Sequence, residues 1–169
     1  MAARTSAALR LRGRDGPLRA EITWPAGEPA AVLVFLADGS EELCRTLGEA
    51  LNAVTLSAAC ATHHDARAAI EWTGDHAAQL GVDPARLILA GVDAAAAIAA
   101  QVAGDDPWPA IERLVLIHPR LAAPPLAALP PTVIAADDDS GRSCAARLRE
   151  AGVAVTLLDD VGGLAAAVH

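Results

Sequence analysis

Tyrosine and lysine are absent from this sequence of 169 residues, and aromatic side chains are scarce, with three Trp and one Phe. The three cysteines, Cys44, Cys60 and Cys144, are far apart and show no paired spacing. This spacing argues against a zinc site and a disulfide framework and favours a reducing compartment, so we expect a cytoplasmic protein. No apolar run approaches the roughly 20 residues of a membrane-spanning helix. The N-terminus has no apolar segment of the kind found in secretory signals.

The overall charge of the sequence is acidic. The formal net charge is −8, and the acidic residues are scattered along the chain. We therefore expect no binding to nucleic acid and none to anionic membranes. No G-x-G-x-x-G sequence is present, which argues against a dinucleotide site. We expect no cofactor and no resident metal ion.

The first thirty residues predict an antiparallel hairpin. Apolar residues alternate with Arg and Glu over residues 7–11 and 18–24, and these stretches flank the turn sequence Gly-Arg-Asp-Gly-Pro at residues 13–17. Alternation with a period of two is typical of a strand that has one face in water. The arginines of this region would also fit a transit peptide, and we prefer the strand pair.

From residue 31 onward, strand-length apolar stretches alternate with helix-forming stretches. The continuous apolar run of residues 31–36 predicts a strand that is buried on both faces. We expect further strands at residues 53–58, 87–90, 113–117, 132–136 and 153–158. We expect helices at residues 41–52, from 63 to near 81, up to 103 after the strand at 87–90, and at 140–151. This order predicts a single α/β domain over residues 1–169, with a doubly wound, mostly parallel sheet and the hairpin at one edge.

The stretch Gly91-Val-Asp93-Ala-Ala95 joins a buried strand to an Ala-rich helix. Small residues stand two positions before and two positions after Asp93. A sharp strand-to-helix turn requires this pattern, because larger side chains would collide across the bend. In enzymes that have this turn, the apex residue is exposed at the edge of the sheet and is the nucleophile. Here the apex residue is an aspartate.

Together these stretches resemble the α/β-hydrolases, nearest to the hormone-sensitive-lipase-like esterases. Residues 80–91, Leu-Gly-Val-Asp-Pro-Ala-Arg-Leu-Ile-Leu-Ala-Gly, are similar to the segment before that family's Gly-Asp-Ser-Ala-Gly elbow. Residues 31–36 resemble the strand before its His-Gly-Gly-Gly oxyanion motif, and residues 129–134 resemble the strand that delivers the catalytic acid. Residues 145–155 resemble the helix and strand before the catalytic histidine. The resemblance covers most of residues 18–165 in order and implies the α/β-hydrolase fold.

The nucleophile, the base and the oxyanion motif of that family are not retained. Asp93 stands in place of the serine, and Ala165 stands in place of the histidine. One glycine of the oxyanion motif remains, and the resemblance implies that Asp38, Gly39 and Ala94 lie where the family binds the oxyanion or the ligand.

The catalytic acid and the cap are the other points of comparison. Asp139 matches the family's acid, with Asp137 and Asp138 as rivals. Between the strands at 113–117 and 132–136 there is only a Pro/Ala connector, where these esterases have a helical insertion. The resemblance therefore implies a shortened member of the family without a cap domain.

These departures favour loss of hydrolysis. A Ser-based mechanism needs a nucleophile, a base and oxyanion donors, and the first two are missing at their expected positions. We therefore predict a catalytically degenerate member that binds a small-molecule ligand or a protein partner, including a second copy of itself. The alternative is a hydrolase that uses Asp93 as its nucleophile, as haloalkane dehalogenases and epoxide hydrolases do, with His118 or His169 as the base.

Separate hypotheses concern the aspartates at the strand ends, two histidines and Cys60. Asp38, Asp93 and one aspartate of residues 137–139 should meet at one edge of the sheet and could attract a cation or an amine. Their ordinary role would be as solvated strand-end acids and helix caps. His63 and His64 open a helix and are predicted to be solvated or capping residues. Cys60 ends a strand and is predicted to be buried rather than reactive.

Overall fold

The structure is a computed structural model that describes residues 5–37, 39–122 and 129–168. Its strands are β1 (Ser6–Arg12), β2 (Pro17–Thr23), β3 (Ala31–Leu36), β4 (Ala53–Ala58), β5 (Leu87–Val92), β6 (Ile111–Ile117), β7 (Thr132–Ala135) and β8 (Val155–Leu158). Its α-helices are α1 (Glu41–Ala50), α2 (His63–Leu80), α3 (Ala94–Gly104), α4 (Asp139–Glu150) and α5 (Leu164–Val168).

Within the described residues the strands form one eight-stranded sheet in the order β1-β2-β4-β3-β5-β6-β7-β8. β2 pairs antiparallel with β1 and with β4, whereas every other neighbouring pair is parallel. All six residues of β3 are buried, as the apolar run at residues 31–36 predicts. The expected mostly parallel sheet with an N-terminal antiparallel hairpin is confirmed.

Helices cover both faces of the sheet. Buried residues of α2, α3 and α4 pack into the core on one face, and buried residues of α1 and α5 pack into the core on the other face. The buried positions of α3 are mostly alanine, so this helix can approach the central strands closely. The doubly wound arrangement is therefore confirmed. Among the described helices none is both long and apolar enough to cross a membrane.

A buried carboxylate joins the hairpin to α2. Asp65 is 9% exposed, and its Oδ1 accepts the backbone N–H of Arg14 in the β1–β2 turn at 3.0 Å. Thr62, the N-cap of α2, accepts the N–H of Asp65 through its side chain. Burial alone would raise the pKa of Asp65, but hydrogen bonds from Arg14, from the Thr62 side chain and from the backbone of Ala61 and Thr62 outweigh it, so the pKa is lowered.

The predicted boundaries of β8 and α1 differ from the structure by about two residues, whereas the predicted end of α2 near residue 81 agrees with it. β8 begins at Val155 rather than 153, because the N–H of Val153 bonds to the carbonyl of Leu148 in the C-terminal turn of α4. The helix at 41–52 ends at Ala50, and Asn52 has a positive φ of 47°. The helix from 63 has 18 residues and ends before Gly81, which adopts the left-handed conformation as expected of a C-cap.

The register of the parallel strands places their carboxyl ends along one edge. Leu36 lies opposite Gly91, Gly91 lies opposite Leu116, and Ile117 lies opposite Ala135. Ligand sites of open α/β sheets lie at this edge. The described segments that follow these strands, and that therefore meet here, are residues 39–40, 93–95, 118–119 and 136–139.

Candidate active site at the carboxyl edge of the sheet

Asp93 forms the apex of a sharp turn between β5 and α3. Its backbone angles are φ 52° and ψ −116°, a conformation that residues other than glycine rarely adopt. The N–H of Asp93 donates to the carbonyl of Ile117 at 2.9 Å, and its carbonyl accepts the N–H of Ala96 at 3.2 Å. Both bonds involve only the backbone, so the turn does not depend on the side chain at position 93.

The glycine before the apex is required by the bend. A Cβ atom at Gly91 would lie 2.5 Å from the carbonyl oxygen of Ala95 and 2.8 Å from the Cα of Ala96. The steric explanation for Gly91 is thus confirmed. The crowding comes from the backbone of α3, a detail that the spacing of small residues does not reveal.

The side chain of Asp93 is exposed and has no bonding partner among the described residues. It does not cap α3 by a side-chain hydrogen bond, and no described residue forms an ion pair or hydrogen bond with it. Ala94, the first residue of α3, is also exposed. Gly39 is exposed with φ 76°, and a Cβ added there would have no described atom within 4 Å. Asp38 lies outside the described residues.

A histidine and an aspartate lie together on the next two strand ends. His118 follows β6 with φ 46°, and its backbone N–H donates to the backbone carbonyl of Ala135 at 2.9 Å. Its Nδ1 is 3.8 Å from Oδ1 of Asp137, and their side chains are 43% and 78% exposed. This contact is loose and solvated, yet it brings a potential base and an orienting acid to the edge where Asp93 lies.

The three consecutive aspartates have three different environments. Asp137 faces His118, as described above. Asp138 is the N-cap of α4 and accepts the N–H of Gly141 at 2.9 Å. Asp139 has a fully exposed side chain, and its Oδ1 is 2.8 Å from Nη2 of Arg142. The assignment of Asp139 as the acid stays a prediction, but of the three carboxylates it is Asp137 that contacts a histidine.

The other histidine positions offer no partner for Asp93. His63 binds Asp105 through Nε2 and packs edge-on against His64, with ring centroids 5.3 Å apart. Ala165, in place of the family's histidine, lies in the short helix α5. His169 is outside the described residues. Within the described ranges no group of three or more His, Cys, Asp or Glu side chains could hold a metal ion.

Solved esterase structures share this fold. A Pyrobaculum calidifontis esterase superposes with a TM-score of 0.80 at 20% identity, covering 97% of this chain and 85% of that chain. Esterase LipW from Mycobacterium marinum gives a TM-score of 0.78 at 24% identity, with 93% and 72% covered. Carboxyl esterase 2 from Tuber melanosporum gives 0.79 at 18% identity, with 97% and 80% covered. No curated protein matches the chain.

The sequence match and the geometry of the turn agree. The sequence model of the alpha/beta hydrolase fold family matches residues 36–128, more than half of the chain, including the Asp93 turn. The strand order and the bend between β5 and α3 are consistent with that match. The chain therefore belongs to the alpha/beta hydrolase fold family.

Proposed function

We propose that this protein is a catalytically degenerate, non-hydrolytic member of its family and that it acts by binding a small molecule at the carboxyl edge or a protein partner. The observation that carries the proposal is the environment of Asp93. The nucleophile's position holds a carboxylate, and no described histidine is within hydrogen-bond reach of it. The position of the family's base holds Ala165.

This arrangement removes the steps that a serine esterase needs. A carboxylate has no proton to give up on attack, and its attack on an ester carbonyl would form an anhydride, which water must then clear with the help of a base. Without a histidine at position 165, no base is supplied from the segment where the family has one. A backbone donor at Ala94 could still bind a negatively charged or carbonyl-bearing ligand.

The test is an esterase assay with matched aspartate variants. Purified protein is incubated with p-nitrophenyl acetate and p-nitrophenyl butyrate, beside Asp93→Ala and the control Asp75→Ala, which alters an exposed aspartate on α2. We expect all three proteins to release p-nitrophenol at the same background rate. Turnover by the native chain and by Asp75→Ala that is lost in Asp93→Ala would contradict the proposal.

A second candidate is an Asp-nucleophile hydrolase, and the His118–Asp137 contact favours it. In this mechanism an oxygen of Asp93 attacks an alkyl carbon, an ester bond forms, and the halide or epoxide oxygen leaves with the bonding electrons. Water, deprotonated by His118, then attacks the ester carbonyl. The bond between that carbonyl carbon and the alkyl oxygen breaks, the alkyl oxygen leaves as an alcohol with the proton from His118, and Asp93 returns to the carboxylate by releasing the second proton to water. Asp137 would orient the imidazole.

Intact-protein mass spectrometry separates the two candidates. The protein and its His118→Ala variant are incubated with 1-bromobutane and with styrene oxide. The hydrolase candidate requires an adduct on Asp93 that accumulates in His118→Ala and is cleared in the native chain. The non-hydrolytic proposal requires no adduct in either protein.

The same proposal includes three further statements. The chain forms a single domain over residues 1–169, it lies in the cytoplasm, and it binds a protein partner or a second copy of itself. Self-association is measured by light scattering over a range of concentrations. A monomer throughout would exclude a second copy as the partner.

A further inference from the structure

A cleft of about 260 Å³ lies between α1 and the strands β2 and β4. We call it the hairpin cleft. Leu18, Ala20 and Ile22 face the core on the other side of the sheet, so the alternating side chains of β2, including Glu21, face the side of α1. Helix α1 sits close on β4 at Gly48, where a Cβ atom would be 2.3 Å from Oγ1 of Thr55. None of the carboxyl-edge residues lines this cleft.

The floor of the hairpin cleft holds a polar group that has no partner among the described residues. Thr55 is 4% exposed and lines the cleft. No hydrogen bond joins its hydroxyl to another described residue, while every fully enclosed polar side-chain atom of the described chain has a partner. The Thr55 hydroxyl is therefore reachable from the cleft, and a ligand there could bond to it. Ser57, on the same face of β4, is a second hydroxyl in the lining.

The walls of the hairpin cleft are negatively charged. Glu21 and Glu41 line it from β2 and from the first turn of α1. The cation in the lining is Arg45, and its guanidinium is already bonded to Glu42 and Glu49.

The carboxylates of these walls act on the buried thiol of Cys44. Burial raises the pKa of Cys44 to about 11, and the charges of Glu21 and Glu41 act in the same direction, while a hydrogen bond with Ser57 opposes them. Glu21 and Glu41 therefore lie close enough to act on a thiol that lines the cleft.

Trp24 also lines the cleft, and part of its side chain packs against the core on the opposite face of the sheet. Aromatic faces attract ammonium and guanidinium groups and also pack against apolar bodies. Carboxylates, a hydroxyl acceptor and an indole together match a positively charged donor that carries a short apolar group. A neutral or anionic ligand would form no charge-assisted hydrogen bonds with these exposed carboxylates.

We propose that the hairpin cleft binds a small organic cation, a primary ammonium with a short apolar body. The ammonium donates its three hydrogens to the carboxylates of Glu21 and Glu41 and to the Thr55 hydroxyl, and the apolar body lies against Trp24. The site is separate from Asp93 and does not depend on whether the chain hydrolyses anything.

The test compares benzylamine with its neutral analogue benzyl alcohol, by calorimetry and by NMR of the ¹⁵N-labelled full chain. We expect benzylamine to bind and to shift the amides of Thr55 and Ser57 and the indole N–H of Trp24. Benzyl alcohol should bind at least roughly tenfold more weakly, because it forms no charge-assisted hydrogen bonds.

Variants locate the site and keep the proposal falsifiable. Glu21→Gln and the near-isosteric Thr55→Val should each weaken benzylamine binding, Glu21→Gln by roughly tenfold, whereas the exposed Glu150→Gln should not. Thermal melting confirms that each variant is folded. Equal binding of the two probes, or equal effects of Glu21→Gln and Glu150→Gln, would overturn the proposal, and so would shifts centred on Asp93.

Discussion

Replacing Gly91 by alanine tests whether the turn before α3 is fixed by steric contact alone. The added methyl would lie 2.5 Å from the carbonyl oxygen and 2.8 Å from the carbonyl carbon of Ala95, and 2.8 Å from the Cα of Ala96. These are backbone atoms of a helix that packs on the centre of the sheet. They cannot rotate away as a flexible side chain would, so α3 or β5 must shift.

The size of the effect follows from opposing contributions. Overpacking in a core costs about 1–3 kcal/mol, and more when backbone must move. Alanine also lowers the conformational entropy of the unfolded chain, which stabilises the folded state by about 0.4–1 kcal/mol. Because backbone atoms must move, the overpacking cost lies at the upper end of its range, and we expect Gly91→Ala to lower the free energy of unfolding by about 2 kcal/mol. This corresponds to a melting temperature lower by roughly 4–8 °C for a chain of this size.

Gly27→Ala is the matched control. Gly27 is exposed, has no atom within 4 Å of an added Cβ and lacks a left-handed φ. This variant should be neutral or more stable by up to about 1 kcal/mol. Urea unfolding followed by circular dichroism compares both variants with the native chain. If Gly91→Ala is no less stable than Gly27→Ala, the steric account of the turn is refuted.

Three further predictions concern single side chains. Asp93→Gly should raise stability by about 1 kcal/mol in urea unfolding, because glycine adopts a positive φ without strain; a loss of stability would mean that the carboxylate itself supports the turn. Asp65→Ala should cost about 1–2 kcal/mol at neutral pH. Because the folded-state pKa of Asp65 is lowered, the advantage of the native chain is full above the ordinary value of 3.8 and is lost as the pH falls through the folded value; an advantage independent of pH in unfolding experiments would contradict this. Burial raises the pKa of Cys44 from 9.0 to about 11 and that of Cys60 to about 12. At pH 8 iodoacetamide should therefore modify both thiols at least roughly a hundredfold more slowly in the folded chain than in the chain unfolded by urea. Mass spectrometry measures the two rates.

Much of the fold could be predicted because its signals are local. The apolar run of β3 and the strand-to-helix turn at Gly91 are continuous stretches whose pattern determines one structure. The start of α2 is also marked locally, since Thr62 and Asp65 have the spacing of a reciprocal helix cap. The hydrogen bond from Arg14 to Asp65 spans 51 positions, and nothing in the sequence indicates it.

The site was harder to predict, because its roles depend on the direction of each side chain. Nothing in the sequence distinguishes the roles of Asp137, Asp138 and Asp139, which are three consecutive aspartates. The start of α4 makes Asp138 a cap and turns Asp139 towards Arg142. That leaves Asp137 facing His118, a contact between two strand ends that only the register of β6 and β7 creates. The hairpin cleft was missed for the same reason, although the alternation that places Glu21 opposite the core-facing residues of β2 could have indicated its charge.

The strained apex of this chain is a property of the fold and not a sign of catalysis. The bonds that hold Asp93 at φ 52° run from its backbone to Ile117 and Ala96 and do not involve its side chain. Catalysis would need side chains from three other segments, at residues 37–40, 137–139 and 165, and no backbone bond of the turn constrains their identity. The turn can therefore persist after the chemistry is lost. Because the two are independent, stability measurements at Gly91 cannot decide whether Asp93 reacts, and the adduct experiment with His118→Ala is needed for that.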